Sequence, residues 1–409
     1  MILNCRSCSG NNLKSVASFG FTPLANALLT EEQLKEPEGK FPLDLMFCAD
    51  CCLVQIVETV PPKDLFSQYF YVSSISKTTL KNAEEIASKM IQDKGLDERS
   101  EVLEIGSNDG YLLSNYVNKK ISVLGVEPAE NIGEIARENG VKTVTGFFGT
   151  EFAKGLRSYG YRADVIHANN VLAHVADLHG ILEGIRLVLA LDGVCVIETH
   201  YVRDMIESAQ FDCVYHEHLC YYSATALAAL FSQYGMKLVD VERTEMHGGT
   251  LRAFFQKHDG PKSFEKKERV EAFLKMESSW VDQENYYRQL AWKAMDMRNE
   301  LLSVMANIKG MGKSIAVYGA SAKSTTLLNY FGIDQDLVDY VVDATPIKQG
   351  KYTPGTHLKI YPPESIKDKS PDYLLLLTWN FAKEIIEKEK EYRAAGGHFI
   401  IPIPRVQVV

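Results

Sequence analysis

The segment VLEIGSNDGYLL, residues 102–113, constrains the fold of this chain more than any other stretch of its sequence. It predicts a buried strand ending at Ile105, a glycine-rich turn and the start of a helix. Without Cβ atoms at Gly106 and Gly110, the chain can turn sharply and a ligand can lie against its backbone. A second apolar run, SVLGVE, ends in Glu127, which lies 21 positions beyond Gly106. An acid at this spacing is typical of one that binds ribose hydroxyls, so the pattern predicts a nucleoside cofactor.

Alternating strands and helices around this turn predict a doubly wound α/β core. Strands are predicted at EVLEI, SVLGVE, ADVIHA and VCVIET, and helices near residues 111–118, 130–138 and 178–190. Ser223 is the expected N-cap of a helix that ends at Gly235, and KLVDVER and LRAFFQ are expected to close the sheet. Further along the chain, SIAVYG, VDYVVD, DYLLLL and HFIIPI predict a second α/β unit.

The glycine turn discriminates between two kinds of nucleoside cofactor. A dinucleotide fingerprint, G-x-G-x-x-G, brings three glycines to a pyrophosphate, whereas this turn is G-x-x-x-G and contains Asp109, whose charge would repel phosphates. S-Adenosylmethionine has no phosphate and carries a sulfonium cation, so carboxylates are tolerated beside it. The turn therefore favours S-adenosylmethionine over NAD, and it resembles the first motif of class I methyltransferases. The residues predicted to bind this cofactor are Glu104, Gly106, Asn108, Asp109, Gly110, Glu127, Pro128 and Asn170.

Two C-x2-C pairs, CRSC at 5–8 and CADC at 48–51, predict a metal site. Two such turns can present four thiolates tetrahedrally, which is the arrangement that Zn²⁺ prefers, and a site closed by four protein ligands is structural. Buried thiols without a metal are the alternative. The predicted ligands are Cys5, Cys8, Cys48 and Cys51, with Cys52 as a substitute for Cys51.

Composition argues against two classes of partner. The net charge of −9 argues against a protein that grips nucleic-acid backbones, since that affinity comes from clustered Lys and Arg. The most apolar run, DYLLLLTW, is much shorter than the roughly 20 residues that cross a bilayer. We therefore expect a cytoplasmic protein with neither a nucleic-acid polymer nor a membrane as partner, and a monomer or weak dimer.

A length of 409 residues allows several domains. We expect a zinc-binding module at 1–60, a methyltransferase core at 61–260, a helical linker at 261–309 and a Rossmann-like domain at 310–409. The linker is expected to hold one or two long helices, because the charge density rises there and Pro and Gly vanish after Pro261.

The densest group of titratable residues is CVYHEHLCYY, residues 213–222, here named the H-E-H loop. It follows the strand VCVIET, so it is expected near the sheet edge where open α/β sheets bind ligands. Acid/base catalysis is favoured, because imidazole titrates near neutral pH and Glu217 can orient it. A metal site made by His216 and His218, and histidines with a purely structural role, are the alternatives. A base beside a methyl donor indicates methylation at a carbon or a heteroatom.

These features together resemble one family, the sugar C-3 methyltransferases that act on dTDP-linked 4-keto-deoxysugars. The matching segments are the paired C-x2-C motifs, YFYVSSIS, LEIGSNDGYLL, NNVLAHV, YHEHLCYYS, HGGTLR and YGASAKSTTLLNYFGI with VVDATPIKQGKYTPGTH. The resemblance covers nearly the whole chain. It implies a class I methyltransferase core with a small N-terminal zinc module and a C-terminal Rossmann-like α/β domain that closes over the sugar nucleotide.

The resemblance also implies roles for individual residues. His218 is expected to be the catalytic base, with Glu217 and Tyr215 beside it. Either Tyr69 or Tyr71 is expected to line the site, and Tyr69 is favoured. The base would remove the C3 proton of a 4-keto sugar, and tyrosine hydroxyls would hold the enolate. The residues predicted to bind the substrate are His216, Tyr222, His247, Gly248 and Lys323.

Other functions stay open from sequence alone. Two nucleotide-like folds with a His/Tyr cluster would also suit an NAD-dependent sugar-nucleotide epimerase or dehydrogenase, although the third glycine of the dinucleotide motif is missing. A methyltransferase acting on a heteroatom is a further alternative, and a zinc-module scaffold without catalysis is another.

Overall fold

The computed structural model of the chain describes residues 4–61, 72–261 and 264–409. Its strands are, in chain order, β1 Leu13–Thr22, β2 Phe41–Cys48, β3 Val54–Ile56, β4 Glu101–Ile105, β5 Ser122–Glu127, β6 Thr143–Thr145, β7 Ala163–Asn169, β8 Leu189–His200, β9 Cys220–Tyr221, β10 Met236–Thr244, β11 Thr250–Lys257, β12 Ile315–Tyr318, β13 Val341–Val342, β14 Ile360–Tyr361, β15 Tyr373–Leu376, β16 His398–Ile401 and β17 Gln407–Val408. Its α-helices are α1 Lys77–Lys94, α2 Leu113–Val117, α3 Glu130–Glu138, α4 Thr150–Ser158, α5 Leu178–Val188, α6 Val202–Glu207, α7 Ala224–Ser232, α8 Lys267–Glu277, α9 Glu284–Gly310, α10 Ala322–Phe331, α11 Ser365–Lys369, α12 Ala382–Lys388 and α13 Lys390–Ala394.

The central sheet has seven strands in the order β10-β11-β8-β7-β4-β5-β6. Its strands β4 to β8 run parallel, and β11 is antiparallel to both β8 and β10. Side chains of β4 alternate between two cores, since Leu103 and Ile105 enter one and Val102 enters the other. Burial on both faces is typical of a parallel sheet covered by helices. The predicted doubly wound α/β core is thereby confirmed, and its strand order changes direction at β4, where such sheets bind ligands.

One boundary in this sheet was predicted wrongly. The helix expected near 178–190 ends at Val188, and β8 begins at Leu189 rather than at Val194. The strand extends backwards because Leu189 pairs with Ala163 of β7 across a register shift. Gly193 suits this passage, since a Cβ there would lie 2.9 Å from the Ala163 carbonyl oxygen.

The N-terminal sheet takes its fourth strand from a distant part of the chain. Strands β1, β2 and β3 form an antiparallel meander, and β9 of the H-E-H loop pairs with β3. The paired residues are Val54 with Tyr221 and Gln55 with Cys220, and all four are buried. The H-E-H loop is therefore built into the sheet of the N-terminal module.

The C-terminal unit is a second α/β sheet, in the order β14-β13-β12-β15-β16-β17. All its strand pairs are parallel except β16 with β17. After β12 the chain turns at Gly319 and enters α10, and the Ala320 N–H donates to Asp343 Oδ2 over 2.8 Å. This parallel sheet with a strand–turn–helix crossover is Rossmann-like.

Two helices, α8 and α9, connect the central sheet to the C-terminal unit. Helix α9 has 27 residues and is therefore about 40 Å long. It packs against β1, α6 and α10, which belong to three different parts of the fold. Its Tyr287 stacks on Phe47 of β2 with ring centroids 4.4 Å apart. The segment expected to be a linker thus also packs against all three units of the fold. The domain boundaries given above stay a prediction.

Glu277, the last residue of α8, fastens this helix to the core. Its side chain is fully buried and accepts hydrogen bonds from Ala224 N (2.9 Å), Thr225 N (2.7 Å), Thr225 Oγ1 (2.6 Å) and the Tyr201 hydroxyl (2.8 Å). The two backbone donors are the first N–H groups of α7, where a negative charge is favourable.

Replacing this carboxylate should destabilise the whole protein. In Glu277→Ala the buried donors would lose their acceptor, so the free energy of unfolding should fall by about 3 kcal/mol. Urea denaturation followed by circular dichroism measures the change. The matched control is Glu284→Ala in α9, which removes an exposed pair with Arg288 and should cost less than about 1 kcal/mol. Equal losses in the two variants would contradict the role given to Glu277.

Candidate active site and cysteine cluster

A cavity of about 510 Å³ lies at the carboxyl ends of β4, β5 and β7. This volume suits a small organic ligand such as a nucleoside cofactor. The predicted cofactor residues that line it are Gly106, Asn108, Glu127, Pro128 and Asn170. Its wall also includes residues that were not predicted to bind the cofactor, among them Phe147, Phe148, Asn169, Val171 and His174.

The glycine turn fixes Glu127 on the wall of this cavity. The Asn108 N–H donates to Glu127 Oε2 and the Ala129 N–H donates to Oε1, each over 2.9 Å. Burial raises the pKa of Glu127, and these two N–H groups partly oppose that shift because they stabilise the carboxylate. Held in this way, the carboxylate can accept hydrogen bonds from a ribose diol.

Three predicted cofactor residues do not line the cavity, namely Glu104, Asp109 and Gly110. The side chain of Asp109 turns away, and its Oδ2 accepts the Ser74 N–H over 3.2 Å. Glu104 is fully buried, and neither carboxylate oxygen has a hydrogen-bond partner in the described part of the chain. Burial, and then the nearby carboxylates of Glu127 and Asp109, raise the pKa of Glu104. A cofactor role for these three residues stays a prediction.

The four predicted zinc ligands form a compact cluster. Their Sγ atoms all lie within 4.8 Å of one another. Cys5 Sγ is 3.5 Å from Cys51 Sγ, and Cys8 Sγ is 3.6 Å from Cys48 Sγ. A tetrahedron with Zn–S bonds of about 2.3 Å places the sulfurs roughly 3.8 Å apart, so the four thiolates fit a zinc ion. Cys52 is not part of the cluster.

In the H-E-H loop, hydrogen bonds assign the tautomer of His218. Its Nδ1 lies 2.8 Å from the Cys213 carbonyl oxygen, which can only accept, so Nδ1 carries the proton. Nε2 therefore has a free lone pair and accepts the Tyr215 hydroxyl over 2.8 Å. Such an imidazole can take up a proton at Nε2.

Two further histidines surround this ring. The ring centroid of His174 lies 4.7 Å from that of His218, and the centroid of His200 lies 5.6 Å away. Burial, and then the charges of these two histidines, lower the pKa of His218 well below its usual value. The ring of His174 donates a hydrogen bond to the Glu217 carbonyl. Because it also lines the cavity, His174 connects the cofactor cavity to the H-E-H loop.

Glu217 lies on the same loop, and only 4% of its surface is exposed. Its Oε1 accepts a hydrogen bond from Asn26 Nδ2 over 2.7 Å. Burial raises the pKa of Glu217 to about 7, although the Asn26 amide acts in the opposite direction. A carboxyl group that titrates near neutral pH is suited to acid/base work.

Three of the residues predicted to bind the substrate form hydrogen bonds within the protein. His216 Nε2 faces the Pro42 carbonyl oxygen over 3.2 Å. Tyr222 is fully buried and donates its hydroxyl to the Leu172 carbonyl over 3.1 Å. The Gly248 carbonyl accepts Gln210 Nε2 over 2.7 Å. Each of the three already contacts protein groups. Tyr69, Tyr71 and the side chain of His247 lie outside the described residues.

Lys323 lies at the junction between the H-E-H loop and the C-terminal unit. Its Nζ is buried beside the thiol of Cys213, and it sits 5.5 Å from the centroid of the Trp379 ring. Burial lowers the pKa of Lys323, but the neighbouring Cys213 and Asp212 outweigh it and raise that pKa. Trp379 Nε1 also donates to Asp212 Oδ2 over 2.7 Å. The start of the H-E-H loop is thus enclosed by the C-terminal unit.

Family models match the chain in three consecutive parts. "Putative zinc binding domain" matches residues 5–66, "Methyltransferase domain" matches 76–241, and "C-methyltransferase C-terminal domain" matches 245–404. C-methyltransferase NovU of Streptomyces niveus is 33% identical over 408 residues, which are 99% of this chain and 96% of NovU.

Solved methyltransferase structures show a more distant likeness. The TehB-like SAM-dependent methyltransferase of Corynebacterium glutamicum shares 16% identity over 42% of this chain and 86% of its own, with a TM-score of 0.32. The CcbJ methyltransferase of Streptomyces caelestis shares 17% identity over 43% and 89%, with a TM-score of 0.34.

The fold and the family models define a class I S-adenosylmethionine-dependent methyltransferase with an N-terminal zinc-binding module. The chain belongs to the C-methyltransferase family that includes NovU, so it is an S-adenosylmethionine-dependent C-methyltransferase. Among the described residues, no helix is both long and apolar enough to cross a bilayer.

Zinc content should distinguish the two adjacent cysteines. The wild-type protein should bind about one zinc ion per chain, and Cys51→Ser should lose it because a tetrahedral site needs all four ligands. Cys52→Ser should keep its zinc, since Cys52 stands outside the cluster. Elemental analysis of dialysed protein measures the zinc content per chain. The ligand set would be wrong if Cys52→Ser lost its zinc while Cys51→Ser kept it.

A methyl group at Gly106 should weaken cofactor binding. Gly106 has a φ of +65°, and a Cβ there would lie 2.7 Å from Val171 Cγ2 on the cavity wall. Gly106→Ala should therefore weaken S-adenosylhomocysteine binding at least about tenfold by calorimetry. The control is Gly140→Ala, which has a φ of +79° but no atom within 4 Å of the added Cβ. If both variants bind as tightly as wild type, the turn does not shape the cavity.

Proposed function

We propose that this C-methyltransferase adds a methyl group to C3 of a nucleotide-linked 4-keto-deoxysugar, with dTDP as the nucleotide. The observation that carries the proposal is the hydrogen bonding of His218, whose Nδ1 holds a proton while Nε2 is able to take one. The resemblance of the sequence to sugar C-3 methyltransferases supplies the substrate class. We also propose a cytoplasmic location and a monomer or weak dimer.

Methylation at a carbon explains why a base is present at all. A C–H group beside a ketone must lose its proton before the carbon can act as a nucleophile, and the resulting enolate needs hydrogen-bond donors at its oxygen. His218 has the correct tautomer for that deprotonation, and its lowered pKa keeps the ring neutral at neutral pH. A heteroatom with its own lone pair depends less on such a base, so this arrangement favours carbon.

The Tyr215 hydroxyl occupies the position next to the proton acceptor. Its hydrogen bond to His218 Nε2 leaves two routes for the substrate proton. The substrate can displace the hydroxyl and give its proton to Nε2 directly, or the proton can pass through the Tyr215 oxygen. In either route the hydroxyl is at hand to donate to the enolate oxygen.

Glu217 is proposed to support the protonated base. When His218 takes the substrate proton, an imidazolium forms in a buried environment, and a negative charge on the adjacent residue, Glu217, would lower the free energy of that imidazolium. Because the pKa of Glu217 is about 7, the carboxylate is partly ionised at neutral pH.

S-Adenosylmethionine supplies the methyl group when it is bound. The residues proposed to hold it are those of the cavity wall, with Glu127 placed for the ribose and Gly106 allowing close approach to the backbone. His174 lines the same cavity and contacts the ring of His218, so the proposed base lies behind a residue of the wall that would hold the cofactor. Positioning of this kind accounts for much of the rate enhancement that such a site can give.

Removing the base should stop both proton abstraction and methyl transfer. His218→Ala should lower the methylation rate at least about 100-fold and abolish exchange of the C3 hydrogen with deuterated solvent. S-Adenosylhomocysteine binding should survive, since His218 does not line the cavity. The assay incubates labelled S-adenosylmethionine with a panel of 4-keto-6-deoxy sugar nucleotides and locates the methyl group by NMR.

The matched control is His179→Ala, a histidine of α5 whose Nδ1 contacts only the Tyr234 hydroxyl among its described hydrogen bonds. It should retain wild-type activity. Unimpaired C3 exchange in His218→Ala would remove His218 from its role, and a methyl group found on oxygen or nitrogen would overturn the carbon assignment. Tyr215→Phe should lower the methylation rate whichever route the proton takes, because both routes use the hydroxyl to stabilise the enolate.

A further inference from the structure

We infer that Asn26, a residue of the N-terminal module, is a positioning residue of the active site that acts through the carboxylate of Glu217. The inference rests on the proposed function, in which Glu217 supports the base. It assigns to the zinc-bearing module a direct part in catalysis, in addition to its structural role.

The contact is a hydrogen bond between residues that are 191 positions apart in sequence. Asn26 Nδ2 donates to Glu217 Oε1 over 2.7 Å, which is a short distance for N–H···O and typical of a bond to a charged acceptor. In the described part of the chain, no other side chain donates to this carboxylate. Asn26 is exposed whereas Glu217 is buried, so a water that replaced the amide would have to enter a buried position beside the carboxylate.

Asn26 is held in place from the C-terminal unit. The carbonyl oxygen of Ala25 accepts the Thr325 hydroxyl over 2.8 Å, in a buried bond that links α10 to this segment. A few residues on, Leu29 exchanges two backbone hydrogen bonds with Tyr352, at 2.9 and 3.0 Å. The turn that carries Asn26 is therefore fixed between the C-terminal unit and the H-E-H loop.

The amide matters because it stabilises one charge state. An N–H donor favours the ionised carboxylate, whereas burial favours the neutral acid, and the two effects leave the pKa of Glu217 at about 7. The titratable residues closest to it in sequence are Tyr215, His216 and His218 of its own loop, and the ring of His174 contacts the Glu217 backbone. The Asn26 amide thus favours the ionised form of Glu217 and opposes the effect of burial.

Two substitutions test this role with opposite steric consequences. Asn26→Asp preserves the shape of the side chain but replaces the donor with a second carboxylate, whereas Asn26→Ala removes the side chain. We expect kcat at pH 7 to fall about tenfold in Asn26→Ala and further in Asn26→Asp, with KM for S-adenosylmethionine unchanged. A structural role would give the reverse order, because Asp fits the space better.

The pH profile gives an independent readout. Loss of the donor raises the pKa of Glu217, so the acid limb of the kcat profile should move to higher pH by about one unit in Asn26→Ala and by more in Asn26→Asp. In a Glu217→Gln background, neither substitution should shift the profile. Zinc content and melting temperature are measured alongside and should stay at wild-type values.

The matched control is Asn12→Ala, which removes an amide-to-carboxylate bond to Asp50 elsewhere in the same module. It should leave kcat and the profile unchanged. Thr325→Val, which removes a support of the Asn26 turn without touching the amide, should give a smaller shift in the same direction.

The outcomes separate this inference from the proposed function. If Glu217→Gln lowers kcat while both Asn26 variants keep the wild-type rate and profile, the inference is wrong and the role of Glu217 stands. If Glu217→Gln is fully active, the role of Glu217 fails and the inference fails with it. A rate loss in Asn26→Ala that persists in the Glu217→Gln background would show that Asn26 acts by another route.

Discussion

The pairing of β3 with β9 is the interaction on which the active-site geometry depends. Strand β9 has only two residues and could not hold its shape alone. By joining the sheet of the N-terminal module, it fixes the residues just before it, where Glu217 and His218 lie. The cysteine cluster stands in the same module and joins the C-terminal end of β2 to the turn at residues 5–8, which precedes β1. A structural metal thereby stabilises the backbone from which the acid/base residues project.

The C-terminal unit also holds the H-E-H loop. The Thr326 hydroxyl donates to the Val214 carbonyl over 3.2 Å, and Trp379 donates to Asp212, the residue just before the loop. The central sheet contributes His174 and the cofactor cavity. The N-terminal sheet, the central sheet and the C-terminal unit thus all contact this one short loop. This convergence suits a reaction in which a base, a sugar carbon and a methyl donor must be aligned together.

Local patterns predicted much of this molecule. The β4 strand and its glycine turn follow from a buried apolar run and two glycines, and the zinc ligands follow from the spacing of two C-x2-C pairs, because both signals lie within short windows of sequence. The pairing of β9 could not be predicted, since two residues carry no periodicity and their partner is far away in the chain. The role inferred for Asn26 could not be predicted either, because its partner Glu217 lies 191 positions away in the sequence. The position of Asn169 at the end of a strand could have pointed to the cavity. No local pattern indicates that the Asp109 side chain accepts a hydrogen bond from Ser74 and does not line the cavity.

The mixed origin of the N-terminal sheet has a consequence for engineering hybrids of this enzyme. A hybrid gene whose crossover follows residue 60 would keep the N-terminal module intact in sequence. It would nevertheless take β3 from one parent and β9, the strand that completes its sheet, from the other. A hybrid with a relative would need to inherit Cys220 and Tyr221 from the same parent as Val54 and Gln55. The residues that must come from the same parent are therefore those that contact one another in the fold, and they do not form one contiguous segment of the gene.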